Sequence, residues 1–206
     1  VGIFTCPFLV YKILHNFTFS MKAICLNLDK RPDRWLLAQK EFAEQGLTVE
    51  RFAAINHEIP MMSFNLSQQA MLRTVTEPTM IFEDDVKFVS DKLNTVLSTA
   101  PDDWDVLYLG ANVMDNLKHH SGHWWRLKEA WTTHAVIYTP KAAEYILNRF
   151  YPECSQPYDD FLREYVQSNL NCYICKPYIC TQRPDFSDLW NTHADYGIHH
   201  TESKLT

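Results

Sequence analysis

The sequence predicts an α/β sandwich around a mostly parallel central sheet. Short apolar runs of strand length alternate with longer segments whose apolar residues recur at helical spacing. No internal repeat, low-complexity tract or interdomain linker interrupts that alternation. A chain of 206 residues with 46% hydrophobic content is enough for one sizeable core. Ligands of such folds sit outside the carboxyl ends of the strands, so polar residues at those ends are the first candidates for function.

The elements follow in order. Residues 1–20 stand apart as an N-terminal extension, and 21–206 as a single domain. Ile3 to Leu14 is apolar but interrupted by Pro7 and Lys12, too short and too broken to span a bilayer. It lacks a basic leader and a small-residue cleavage site, so it reads as reading frame upstream of Met21 or as a cropped anchor. Ala23 to Leu28 then reads as a buried strand. Arg31 to Gln45 reads as a helix with Trp35, Ala38 and Phe42 on one face, ended by Gly46. Val49 to Ile55 forms a second strand, Leu66 to Val75 a helix, and Thr79 to Phe82 a third strand. Ser90 and Asp91 open a helix with the apolar stripe Leu93, Val96 and Leu97. Trp104 to Leu109 and Ala135 to Tyr138 are further strands. Thr139 as N-cap and Pro140 at the first helical position start a helix that buries Ala143, Ile146, Leu147 and Phe150.

Composition narrows the function. A net charge of −6 and a pI near 5.8 argue against nucleic-acid partners and broad binding to anionic membranes. The six cysteines follow no secreted framework, and Cys25 falls within a buried strand pattern. Cys172 and Cys175 form a C-x-x-C, but strand-like surroundings and the lack of a second pair count against zinc or redox use. The chain is expected in a reducing compartment, the cytoplasm, with peripheral membrane attachment as the alternative and no transmembrane span. The sequons at Asn16 and Asn65 matter only in a secreted protein.

Glu83-Asp84-Asp85 directly follows the apolar run Met80-Ile81-Phe82, where a buried strand emerges. Three carboxylates there repel one another, and a hard divalent cation, Mn2+ or Mg2+, relieves that repulsion while keeping positions open for water or phosphate. In an extended segment Glu83 and Asp85 face one side and Asp84 the other. The competing reading is a solvated turn with helix-capping acids. Trp124 and Trp125, set among His119, His120 and His123, are expected in a loop, either stacking on sugar rings or plugging the core. Asp159 and Asp160 precede an amphipathic stretch and read, on their own, as helix N-cap and first-turn acids.

Several stretches resemble, in order, glycosyltransferase family 25, which includes lipopolysaccharide glycosyltransferases and collagen galactosyltransferases. They are Ile24-Cys25-Leu26-Asn27-Leu28-Asp29-Lys30-Arg31-Pro32-Asp33-Arg34, Arg51 to Ile55, Leu66-Ser67-Gln68, and Ile81 to Val86. Asp103 to Gly110, Thr133-His134-Ala135, Pro157 to Leu162, and Gln182 with Phe186 to Leu189 complete the set. Gln68 stands where the family has histidine, and the chain is short for the family.

The resemblance implies a GT-A-type nucleotide-binding fold and a metal-dependent, inverting transfer of a hexose. The donor would be a nucleoside diphosphate sugar, UDP-hexose by expectation, and the acceptor a glycan or lipid-linked glycan. Glu83 and Asp85 are the expected metal ligands, with His193 as a late third. Asn27, Leu28 and Ser67 would meet the nucleotide, Arg31 and Arg34 would steer the diphosphate, and Asp84 would accept from a ribose or sugar hydroxyl. Asp159 is the expected general base, with Asp160 and then Asp188 as substitutes. The same acids would also suit a metal-dependent phosphohydrolase or a catalytically inactive sugar-nucleotide-binding module.

Overall fold

The computed structural model describes residues 21–153 and 156–194. The extension at 1–20, Cys6, Cys154, His199 and His200 lie outside them. The first units are β1 (Lys22–Asn27), α1 (Pro32–Glu44), β2 (Glu50–Ala53), α2 (Pro60–Leu72) and β3 (Thr79–Glu83). After the acidic turn come β4 (Val86–Phe88), α3 (Leu93–Leu97) and β5 (Val106–Tyr108). Short strands β6 (Asn112–Val113), β7 (Lys118–Ser121), β8 (Trp124–Arg126) and β9 (Ala130–Trp131) lead to β10 (Ala135–Tyr138) and α4 (Pro140–Leu147). α5 (Tyr158–Phe161) runs into a π-helical turn at Leu162–Val166, followed by β11 (Cys172–Cys175), β12 (Cys180–Gln182), β13 (Asp185–Ser187) and β14 (Thr192–Ala194).

The central sheet has eight strands in the order β2-β1-β3-β10-β5-β11-β8-β7. Its parallel pairs are β1 with β2, β1 with β3, and β11 with β5; β10 and β8 run against the remaining strands. Strand β10 enters antiparallel beside β3 with Ala135 opposite Phe82, which brings the start of β10 to the same end as the acidic turn. Helices cover both faces. Ala38 and Phe42 of α1 and Leu93, Val96 and Leu97 of α3 pack with Cys25, Phe82 and Ile137 on one side. Met71 and Leu72 of α2, Ala142 and Ile146 of α4, and Phe161 of α5 pack with Ile24, Ile81 and Val136 on the other. Alternate residues of one strand therefore feed two separate cores, which is why these strands are continuous apolar runs.

Most predicted elements form at or near their expected places, and Thr139 caps α4 by accepting the Ala142 N–H at 3.2 Å. Helix α2 is the main departure, starting at Pro60 rather than Leu66. Its inward face carries Ser63, Asn65, Ser67 and Gln68, all buried, so polar residues sit where an apolar stripe would signal a helix. The two serines are bonded: Ser63 Oγ donates to the Ile55 carbonyl, and Ser67 Oγ accepts the Ile55 N–H at 2.8 Å, while Asn65 Oδ1 and Gln68 Nε2 are buried without a hydrogen-bond partner among the described residues. The short helix α3 begins at Leu93 after Lys92, without the side-chain cap expected of Ser90 and Asp91.

Trp124 and Trp125 are not in a loop. They lie in β8, paired with β7 and β11. Trp124 is fully buried and donates its indole N–H to the Val96 carbonyl, while Trp125 meets His119 edge-on. Cys172 and Cys175 point into opposite cores, which separates the two thiols of the C-x-x-C across the sheet. No helix among the described residues is long and apolar enough to cross a membrane.

Candidate active site

A cavity of about 780 Å3 opens where the parallel strands end. The carboxyl end of β1 supplies Leu26 to Lys30, the segment after β2 supplies Ala54, Asn56 and His57, and α2 adds Ser63 and Phe64. The acidic turn lies on another part of the wall, facing Thr132, Thr133, Asp159 and Asp160. Strand β12 reaches the site through Gln182, in register with Val86 of β4. Gly110 permits this approach, because a Cβ there would overlap the Cys180 carbonyl oxygen.

Glu83 ends β3, and Asp84 and Asp85 form the turn into β4. Both Glu83 and Asp85 line the cavity, and so does Asp84, which the extended pattern placed on the far side. Glu83 accepts a hydrogen bond from the Thr133 hydroxyl. Burial pushes its carboxyl up to about 8, and the negative charges of Asp85 and Asp159 push in the same direction. Burial likewise raises Asp85, helped by Asp84 and opposed by the Gln182 amide, which donates to Asp85 Oδ2 at 2.9 Å. The other oxygen, Asp85 Oδ1, is buried without a hydrogen-bond partner among the described residues, and so is Gln182 Oε1. Buried, mutually repelling carboxylates with an unsatisfied oxygen are a donor set suited to a hard cation that brings its own water or phosphate ligands. Glu83 and Asp85 thus fit Mn2+ or Mg2+, although among the described residues no three His, Cys, Asp or Glu side chains gather into a full cage.

The residues expected at the nucleotide are largely engaged with one another. Asp84, 7% exposed, accepts Asn27 Nδ2 at 2.7 Å and Arg34 Nη1 at 3.1 Å. Asn27 also donates to the Arg31 carbonyl and accepts Arg51 Nε, so its amide is fully occupied, although Asn27 and the adjacent Leu28 border the cavity. Arg34 bridges Asp84, Asp185 and the Phe186 carbonyl. Arg31, which is not among the cavity-lining residues, binds Asp33, Asp185 and Asp188. From the start of α1, the two guanidinium groups expected to steer a diphosphate fasten the β13–β14 hairpin, and Arg34 also lines the cavity. Lys30 is the exposed cation at that wall, paired with Asp188 at 2.6 Å.

Ser67 and His193 lie apart from the cavity lining. Ser67 is wholly buried in α2, its hydroxyl donating to the Ser63 carbonyl, and it does not line the cavity. His193, on β14, packs edge-on against Phe186 with ring centroids 5.4 Å apart and is exposed away from the lining. Asp188 lines the cavity, but burial, which would raise its carboxyl, is outweighed by Lys30 and Arg31, which lower it. An acid held ionised by two cations is a poor proton acceptor.

Asp159 and Asp160 face the cavity from the first turn of α5. Burial raises the Asp159 carboxyl despite the opposing Thr132 N–H, which approaches Oδ2 at 3.5 Å. Asp160 Oδ1 accepts the Trp131 indole N–H at 3.0 Å. Asp159, Thr133 and Trp131 meet at this wall because α5 and the start of β10 converge there. Trp131, Thr132 and the free oxygen of Gln182 had no signal of their own in the sequence; Gln182 and Thr133 appeared only as members of longer similar stretches.

No protein-family model matches the sequence, and no curated protein matches it. Among solved structures, the protein A197 from STIV is similar with a TM-score of 0.51 at 10% identity, over 85% of this chain and 96% of that one. A mannose-1-phosphate geranyltransferase from Thermus thermophilus gives 0.45 at 12% identity, over 76% and 73% of the two chains. The inositol-1-phosphate CTP transferase from T. maritima gives 0.42 at 11% identity, over 76% and 85%. At such identities the likeness concerns fold alone, and the first of the three supports the α/β sandwich; the resemblance to glycosyltransferase family 25 rests on the motifs.

Proposed function

We propose that the protein is a metal-dependent, inverting glycosyltransferase that moves a hexose from a nucleoside diphosphate sugar, UDP-hexose by preference, to a hydroxyl of a glycan. The observation that carries this reading is the convergence of Glu83, Asp85 and Asp159 on one cavity at the strand ends, with an unsatisfied Asp85 oxygen. Glu83 and Asp85 would hold Mn2+ or Mg2+, which when bound supplies positive charge against a diphosphate. Thr133 keeps the Glu83 carboxylate oriented, and Gln182 does the same for Asp85. Lys30 adds charge at the β1 wall. Asp159, raised toward a more basic range by burial, takes the proton of the acceptor hydroxyl. The acceptor oxygen then bonds to the anomeric carbon as the bond to the diphosphate oxygen breaks, and the diphosphate leaves with the electron pair.

The test is a thermal-shift series with Mn2+, with UDP, and with both. The pair is expected to stabilise the fold well beyond the sum of the two alone, because each completes the other's binding shell. Asp85→Asn keeps the shape of the side chain, removes the charge, and should abolish that synergy while the protein stays folded. Equal UDP binding in EDTA would remove the metal from the reading. Phosphate release from UDP without any acceptor would favour a phosphohydrolase.

A further inference from the structure

Trp131, Thr132 and Thr133 form a segment that contacts Glu83, Asp159 and Asp160 at the cavity wall. Thr133 holds Glu83, the Thr132 N–H approaches Asp159, and the Trp131 indole binds Asp160. Thr132 has φ of 73°, in the left-handed region that a β-branched residue rarely enters, and its hydroxyl is buried without a partner among the described residues. Strain of this kind persists where surrounding structure imposes it, and it clusters at ligand-binding positions. Here the imposed turn sets the direction of Trp131.

The indole is held from two sides. Besides the 3.0 Å hydrogen bond to Asp160, the Arg163 guanidinium lies 5.7 Å from the ring centroid, and Arg163 itself pairs with Asp160 at 3.4 Å. Trp131 nevertheless remains 38% exposed and lines the cavity beside Asp159. An exposed aromatic ring fixed in advance lowers the ordering cost of a flat apolar partner. The C–H face of a pyranose is such a partner, and its hydroxyls need polar contacts at the rim, which Asp159 provides.

Resting on the glycosyltransferase reading, we propose that the acceptor is a pyranoside whose apolar face stacks on Trp131, with one ring hydroxyl directed at Asp159. Trp131 is then the specificity determinant for the acceptor, and the strained turn at Thr132 is the positioning device.

The full chain is titrated with methyl β-D-galactopyranoside and methyl β-D-glucopyranoside, with and without UDP and Mn2+, and followed by saturation-transfer-difference NMR. UDP affinity in Mn2+ is measured separately by calorimetry. Wild type should transfer saturation to the protons of one pyranose face. Trp131→Ala should reduce the transfer at least about tenfold, a loss equivalent to one stacked ring, and Trp131→Phe should restore part of it, with UDP affinity within about twofold throughout. Thr132→Gly should melt higher by roughly 2–4 °C, the shift expected for relief of about 1 kcal/mol in a chain of this size, while binding the pyranoside more weakly. Transfer that survives Trp131→Ala, or is absent from wild type, overturns the proposal. So does a Trp131→Ala variant that loses UDP instead, since the ring would then stack on the nucleobase. A Thr132→Gly variant that melts lower and keeps full pyranoside binding overturns the role of the turn. Failure of UDP and Mn2+ to bind wild type is a separate result that strikes the donor reading, and the arm without nucleotide still decides the pyranoside question.

Discussion

Asp159 and Asp160 are neighbours in sequence with different surroundings. Asp160 is tied to Trp131 by a hydrogen bond and to Arg163 by an ion pair, so its carboxylate is occupied. Asp159 accepts the Asp160 N–H at 3.0 Å and the Thr132 N–H at 3.5 Å, and burial raises its carboxyl against them. A raised carboxyl next to an open cavity is the better proton acceptor. Asp159→Asn is therefore expected to lower turnover by about 10²- to 10⁴-fold, the usual range for a lost general base, while leaving UDP affinity nearly unchanged. Asp160→Asn should act more mildly, through a loosened Trp131 and a raised acceptor KM. UDP release with a panel of glycan acceptors measures both; near wild-type turnover in both variants would place the base elsewhere.

At the scale of elements, the β13–β14 hairpin closes one side of the cavity and is fastened chiefly by charge. Arg31 and Arg34 reach from the start of α1 to Asp185, Asp188 and the Phe186 carbonyl. Burial by itself would raise Asp185, but the Phe186 N–H and the two guanidiniums outweigh it and hold the carboxyl down at about 2, against an ordinary 3.8. A folded-state value below the unfolded one contributes stability that is present above 3.8 and is lost as the pH falls toward 2. The hairpin should thus loosen in acid before the central sheet does. Hydrogen exchange of the β13 and β14 amides, compared above 3.8 and near 2, reads this directly. Asp185→Asn should show the loosened pattern even at neutral pH, and equal protection across the range would show that the ion pairs do not hold the hairpin.

For the whole molecule, the acidic turn is a destabilising feature of the metal-free fold. Glu83 titrates at about 8 when folded and at 4.5 when unfolded, so the native state binds more protons between those values. Stability in EDTA should accordingly rise as the pH is lowered through 8 and level off near 4.5, opposite in sign to the hairpin. Saturating Mn2+ should raise the melting temperature most at the alkaline end, where both carboxylates are ionised, and so flatten the profile. Glu83→Gln should flatten it in EDTA without metal. Melting curves across that range check the claim, and a flat wild-type profile in EDTA would contradict it.

The sequence by itself determined the layered architecture. Runs such as Ala23 to Leu26 and Met80 to Phe82 are apolar at every position because each strand feeds two cores, and that pattern is local. Helix α4 was equally legible, since its cap, its proline and its apolar stripe are all encoded within a dozen residues. The acidic turn stood out for the same reason. Only the tertiary structure decided what the charged and aromatic residues do. Arg34 meets Asp185 from 151 residues away, and no periodicity carries such a pairing, so a cation expected to meet a diphosphate is engaged with the protein itself. Helix α2 hid its start because its buried polar side chains bond across the fold to Ile55 and Gln156. Trp124 and Trp131 are the same residue type, yet one fills the core and the other lines the cavity. Composition cannot separate them, because exposure is a property of the packed neighbours, and those are brought together only when the sheet assembles.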